Sequence, residues 1–552
     1  MSMHRLSVSV FSMLLLAACG RGGEPAGDDR DRALASVTGA GVRGHMEALA
    51  TDAMRGREAG TDDYQRAADY VVARFREAGL EPLGEGDSYF QWIEFRETRL
   101  VPDSARMTLT RGGESIELVF RDDFIRDGGY GDADETLTAP LVFAGHGIVA
   151  PEFGHDDYAG VDAAGRIVIL LSGAPPHFDT DRRAYYSSGS GKAREAVSRG
   201  AVGIVTVRTP VDQARRAWER YLPGIGSPGM RWLDERGEPF EGYPELAGSA
   251  LLSQPGAEKL FALAGQDLAA IFDKHAAGGT GSFELGVDAM LARASAQRSV
   301  SSANVIGVIR GSDPDLRDEY VVYTAHLDHI GVRPGKEGDD IHNGAYDNSA
   351  GIGVMLEIAA AMGALQTPPR RSVIFAAVTA EEKGLQGSSY LAKNPPVPVA
   401  SLVANINIDM PYLGFPVNDI QAFGAEHSSL YDAVSAATAA MGMGLTPDPL
   451  PQEVRFIRSD QFSFVKEGIP ALAFKAGTHS SDPELDGDAM LDDFLKNHYH
   501  LPSDDLSLPY SAEGAERFTR AGLLLGLIVA DADARPAWNA GDFFGDKFAP
   551  GP

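Results

Sequence analysis

Cysteine is almost missing from this chain: its 552 residues contain a single one, Cys19. A body without cysteine has no internal disulfide and no thiolate metal site, so any metal must be held by histidine and carboxylates. Positive charge is also scarce. Against 78 Asp and Glu stand 49 Lys and Arg, giving a formal net charge of −29 and a pI near 4.8. That balance argues against nucleic acid and anionic membrane surfaces as partners. Apolar runs of the ~20 residues needed to cross a bilayer are lacking as well. What is present is an ordinary apolar content of 44% and 63 glycines, the latter pointing to many tight turns. The length exceeds what one hydrophobic core usually organises, so two domains are expected.

The lone cysteine stands in Leu16-Ala17-Ala18-Cys19-Gly20, at the end of an apolar stretch that begins near Leu6 behind His4 and Arg5. A short basic region, about a dozen apolar residues and small residues before a break are the marks of an export signal. With the break at a cysteine, the segment resembles a bacterial lipobox. That resemblance implies a signal peptide over 1–18, lipidation of Cys19 and an exported lipoprotein. Gly20 at the following position points to the outer membrane, facing the periplasm or cell surface, and membrane contact through that anchor only. Residues 19–39 are polar and read as a flexible tether.

Thr61 to Ala78 carries Ala67, Ala68, Val71, Val72 and Phe75 at helical spacing before Gly79, an amphipathic helix with its stop. Phe90 to Phe95, Arg106 to Leu109 and Ser115 to Phe120 read as strands. From about Leu137 short β runs are broken by glycine, and Asp157-Tyr158-Ala159-Gly160-Val161-Asp162 precedes Gly165-Arg166-Ile167-Val168. This texture looks like a protease-associated domain, placed at 137–295 between two catalytic segments at 40–136 and 296–540, with a tail at 541–552. In the second segment strands alternate with helices: Asn304 to Arg310, Tyr320 to Ala325, Ser372 to Val378, Leu402 to Ile408 and Ala471 to Phe474 against Ala350 to Leu365, Gln386 to Lys393, Leu430 to Met441 and Ala512 to Ala530. Such alternation implies an α/β fold whose mostly parallel or mixed central sheet is flanked by helices.

Chemistry-bearing residues collect at or just after these strand ends, where ligands bind in open α/β sheets. His326 follows one apolar run and Asp328 comes two residues later, in position to fix the imidazole. Asp347 opens a helix amid Gly344, Asn348 and Gly351, small or polar neighbours that allow backbone close to an ion. Glu381 and Glu382 follow Val378, so that one can bind metal while the other works as a general acid or base. Asp409 ends a mostly apolar strand, where a carboxylate is costly unless paired or metal-bound. His500 lies in Tyr499-His500-Leu501-Pro502-Ser503-Asp504 beside His498. Two imidazoles, two terminal carboxylates and one candidate bridge suit two zinc ions.

The order His326-x-Asp328, Gly344-Ala345-x-Asp347-Asn348, Glu381-Glu382, Asp409-Met410 and His500-x-Pro502-x-Asp504 resembles the co-catalytic di-zinc exopeptidase family of bacterial secreted aminopeptidases and glutamate carboxypeptidase relatives. The likeness covers about 41–100 and 301–530. It implies the zinc exopeptidase fold, with two Zn2+ per chain. His326, Asp347 and Asp409 would hold one ion, and Asp347, Glu382 and His500 the other. Glu381 would be the general base, and the Asp347-Asn348 peptide cis. His329, His342, His427, His479 and His498 then fall to structural or substrate-side roles. Gln461 stands where members of the family often carry histidine.

The implied reaction is hydrolysis of a terminal peptide bond by metal-bound hydroxide, on peptide or protein chain termini. Asp409-Met410 and the overall length are closer to the aminopeptidases, and an acidic pocket suits a cationic substrate terminus. A carboxypeptidase, a dipeptidase-type amidohydrolase, a glutaminyl cyclase with one zinc and a non-catalytic binding protein on the same scaffold remain open from these residues alone.

Overall fold

A computed structural model describes residues 26–279, 281–333, 338–453 and 455–549. The signal segment and Cys19 lie outside the described residues.

One strand organises the molecule. Ser282–Ile309 runs for 28 residues and belongs to two sheets in turn. Its first half, 282–294, pairs antiparallel with Arg106–Arg111 on one side and Asp134–Ala144 on the other. Its second half pairs with Phe90–Leu100 and then with Ser372–Val378. The sheet of the first half continues from Asp134–Ala144 through Ile167–Leu171, Gly203–Val207 and Ala250–Leu252, all parallel neighbours, and packs around its own core of Met107, Leu141, Ile169, Phe261 and Leu291. This β-rich unit therefore begins near Arg106. The boundary expected at residue 137 falls inside a strand, because Arg106–Arg111 finds its partner in the far-off long strand and Glu114–Leu118 pairs in turn with Arg106–Arg111.

In the other sheet four parallel strands lie side by side in the order Ser372–Val378, Tyr320–His326, Leu402–Asn407, Ala471–Ala476. Their residues are buried on both faces, and alternation decides which core each side chain joins. Val321, Tyr323 and Ala325 pack with helices Gly39–Leu49, Asp62–Glu77, Ala350–Gly363 and Ala512–Asp531. Tyr320 and Val322 pack with Leu391 of helix Gln386–Lys393 and Phe464 of helix Gln461–Val465. Asp419–Phe423, antiparallel to Ala471–Ala476, makes the sheet mixed. Strand order places the carboxyl ends of Ser372–Val378, Tyr320–His326 and Leu402–Asn407 in one row, and the loops leaving them meet there.

The expected tether is helical from Ala26 to Ser36. Its polar composition conceals specific anchors. Asp29 accepts hydrogen bonds from the Gln366 and Thr367 amides, Arg30 pairs with Asp531 at 3.0 Å, and Ala33 and Val37 enter the core.

Candidate metal centre

His326 ends its strand with Nδ1 3.1 Å from the Asp328 carbonyl. A carbonyl only accepts, so Nδ1 carries the proton and Nε2 is left to face Asp347 Oδ1 and Asp409 Oδ1, each at 3.2 Å. The tautomer is thus set by the backbone of Asp328, where its carboxylate was the expected partner. That carboxylate turns the other way and accepts the amides of Glu381 at 3.0 Å and Glu382 at 3.3 Å. Asp328 is fully buried and pushed up to about 6, by burial first and also by Glu382, against the pull of His326.

Asp347 stands between two imidazoles. Its Oδ1 faces His326, and its Oδ2 lies 3.1 Å from His500 Nε2, which is itself 3.2 Å from Glu382 Oε2. The peptide Asp347-Asn348 is cis. Two side chains hold this loop in place. Asp504, four residues after His500, accepts the Tyr346 and Asp347 amides at 2.9 and 3.0 Å. Asn348 Oδ1 accepts the Gly351 and Met410 amides while its Nδ2 donates to the Ile408 carbonyl, tying the Asp347 turn to the strand end that carries Asp409. Gly344 has φ +61°, and a Cβ there would lie 2.3 Å from the Asp347 carbonyl, so only glycine fits.

Beneath the loops lies Arg57, which is 1% exposed. Its guanidinium donates to the carbonyls of Asn343 at 2.6 Å, Leu49 at 2.7 Å, Leu327 at 3.0 Å and Gly344 at 3.1 Å. Two of these carbonyls precede Asp347 and one lies between His326 and Asp328, so Arg57 clamps both donor loops from below. Lys475 donates to the Asp409 carbonyl at 2.7 Å and lies 3.7 Å from its carboxylate.

Burial costs the charged form of each imidazole, yet the carboxylates around them win. Glu381, Asp347 and Asp409 hold His326 well above its ordinary value, and Glu382 and Asp347 do the same for His500. Glu381 is pushed well up by burial, with Glu382 adding to the rise against His326. Asp460 is another buried carboxylate. It rises to about 7 through burial, with Asp409 and Asp328 adding to it. Gln461, beside it, is taken up by the structure, accepting from Asn407 Nδ2 at 2.9 Å and donating to the Phe456 carbonyl.

Among the described residues two groups bring metal-ligating atoms within 4.8 Å of one another: His326, Asp347 and Asp409, and His329, Asp347 and Glu382. Asp347 Oδ2, Glu382 Oε1 and both ring nitrogens of His329 are buried without hydrogen-bond partners. Unpaired buried polar atoms of this kind are costly unless an ion satisfies them, so the residues fit a pair of cations in oxygen and nitrogen coordination. All five expected donors converge here. His498 does not: it bonds Ser503 Oγ at 3.0 Å. His427 pairs with Asp542 and His479 stands near Asp419, both away from these donors. Sequence reasoning missed the parts played by Arg57, Asn348, Asp504 and His329.

Residues 304–523 match the profile of Peptidase family M28. Aminopeptidase YwaD of Bacillus subtilis is 24% identical over 436 residues, covering 78% of this chain and 74% of that protein. A protein described as "Probable glutamate carboxypeptidase" from Arthroderma benhamiae is 28% identical over 252 residues, covering 41% of this chain; the chain spans only 30% of that relative's length. Among solved structures, an aminopeptidase from Aneurinibacillus sp. strain AM-1 superposes with a TM-score of 0.53 at 19% identity, over 92% of this chain and 97% of the other, a likeness of fold.

Proposed function

We propose, with the match of residues 304–523 to Peptidase family M28 as the premise, that this protein is a zinc-dependent exopeptidase acting on peptide termini, and specifically an aminopeptidase. The observation that carries the reading is Asp347, whose two oxygens face His326 at 3.2 Å and His500 at 3.1 Å. One carboxylate thus serves two adjoining donor sets. His326, Asp347 and Asp409 would hold one zinc, and Asp347, Glu382 and His500 the other. Zinc at such a site lowers the pKa of water to around 7 and polarises a carbonyl oxygen.

The chain's own residues supply the rest. Glu381 is buried beside the donors, and its raised proton affinity suits a group that takes a proton from water and returns it to the departing amine. Asp328 fixes the backbone from which Glu381 and Glu382 diverge. The preference for a free amino terminus follows the similarity to a named aminopeptidase. YwaD, similar over most of this chain, carries the name aminopeptidase. Matched peptides with free and acetylated N-termini test the proposal. The free series should be trimmed and the acetylated series left intact, and equal cleavage of both would remove the aminopeptidase reading.

The proposal extends to location and to the second unit. The Leu16-Ala17-Ala18-Cys19 segment supports an exported lipoprotein anchored through Cys19 at the outer membrane. The β-rich unit around strands Ile167–Leu171 and Gly203–Val207 supports a protease-associated domain. Mass spectrometry of the mature N-terminus should find acylated Cys19 as the first residue. An unmodified cysteine or an intact leader would refute the anchor.

A further inference from the structure

We propose that His329 is a metal donor of the second site, making that site a cage of four side chains and leaving the open coordination position to the first. The inference rests on the two-ion reading above and adds a ligand that the resemblance does not provide.

Three observations point to it. His329 is fully buried, with Nδ1 2.9 Å from Glu382 Oε1 and 3.9 Å from Asp347 Oδ2. His500 approaches the same two carboxylates, at 3.2 Å from Glu382 Oε2 and 3.1 Å from Asp347 Oδ2. Glu382 therefore presents one oxygen to each imidazole, with the ring centroids 5.8 Å apart. The competing role is an imidazole that merely orients Glu382 by donating a hydrogen bond across the 2.9 Å, and the experiment below separates it from ligation. Despite the short distance, neither ring nitrogen of His329 is in hydrogen-bonding geometry with any group, and Glu382 Oε1 is likewise unpartnered. A nitrogen whose ring does not point a proton at the carboxylate, yet sits within ligand spacing of it, is placed as a donor to a shared ion. The site also makes room for the ring. A Cβ on Gly344 would lie 2.7 Å from His329 Cγ and Cδ2, so the position that shapes the Asp347 turn also admits the imidazole.

The consequence is an asymmetric pair. The second site offers Asp347, Glu382, His329 and His500. The first offers His326, Asp347 and Asp409. Four protein donors close a tetrahedral zinc site and three leave a position free. The second ion is then the retained one, and exchangeable chemistry belongs to the first, beside Glu381.

Zinc-edge X-ray absorption of the zinc-loaded wild-type protein counts the imidazoles directly and does not depend on any variant folding. Three per zinc pair are expected, where the resemblance alone gives two. In parallel, competition with a graded chelator should remove zinc from wild type in two steps. In His329→Gln the tighter step should weaken by more than ~100-fold, beyond the 10–100-fold range of an orienting partner. Two imidazoles per pair, or a loss within that lower range, overturns the assignment of His329 and leaves the two-ion reading standing. A protein that binds no zinc overturns both.

Discussion

Arg57→Met should destabilise the metal-free protein by at least ~3–5 kcal/mol, because it leaves inward-facing backbone carbonyls without a donor at ~1–3 kcal/mol each. The magnitude follows from what the guanidinium touches. Four backbone carbonyls accept from it at 2.6 to 3.1 Å inside the protein. Hydrogen bonds to charged groups contribute ~1.5–3 kcal/mol each, a ceiling of roughly 6–12 kcal/mol if all four added. They do not add fully, because one desolvated cation serves all four and methionine refills much of the volume. What methionine cannot do is satisfy Asn343, Leu327 and Gly344, whose carbonyls face inward from the two donor loops. Arg57→Lys separates charge from shape. A single ammonium cannot reach carbonyls spread around a planar fork, so it should recover only part of the loss. Burial lowers Arg57 to about 10, with Asp504 and Asp328 holding it up; it stays charged at pH 6 and pH 8, and the loss should be equal at both. Urea unfolding of chelated protein measures the effect, read from the transition that added zinc shifts, since that core carries the donors. A loss below ~1 kcal/mol, or full recovery by lysine, would show that the loops are held by their own packing and that the clamp is incidental.

Glu381→Gln should abolish turnover and leave zinc content within about one tenth of wild type by elemental analysis, because amide and carboxylate share a shape and only proton transfer is lost; a fall in zinc would make Glu381 a ligand. Asp460→Asn tests linkage in the metal-free protein. Its folded value of about 7 stands above the ordinary 3.8, so between these values the folded state binds more protons than the unfolded, and stability from this residue falls as pH rises through the window, levelling off above about 7. Urea midpoints at pH 4.5 and 8 should therefore converge between variant and wild type at the acid end and favour the variant by a few kcal/mol at the alkaline end. Equal midpoints at pH 8 would mean that Asp460 is neutralised by a partner.

The alternation of strands and helices from Tyr320 to Asp531 was legible because the four parallel strands are apolar runs buried on both faces, set between helices. The five donors were legible for a related reason: a polar residue directly after an apolar strand has few structural uses. Strand Ser282–Ile309 was not, except at its end. Its first half alternates for one sheet and its last residues are buried on both sides for another, and its partners at Phe90–Leu100 and Arg106–Arg111 lie almost two hundred residues away. Arg57 left no pattern at all, and Asp504 stood in the His500-x-Pro502-x-Asp504 motif without showing its role, since each acts on backbone atoms of loops distant in sequence. Asp328 was found for one reason and acts through another, its carbonyl orienting His326 while its carboxylate holds the Glu381-Glu382 turn. His329 did carry a signal, a histidine directly after His326-x-Asp328 at a strand end, but only the distance to Glu382 shows which way its ring faces.

Stepwise return of zinc to chelated protein, with hydrolysis of a peptide bearing a free N-terminus followed at each addition, tests the central claim most directly. The account predicts no hydrolysis without metal and full hydrolysis once two equivalents are bound, with zinc uptake lost when Asp347 is replaced by Ala. Undiminished hydrolysis by the metal-free protein, or two bound zinc ions with no hydrolysis of any free-terminus peptide, would contradict it.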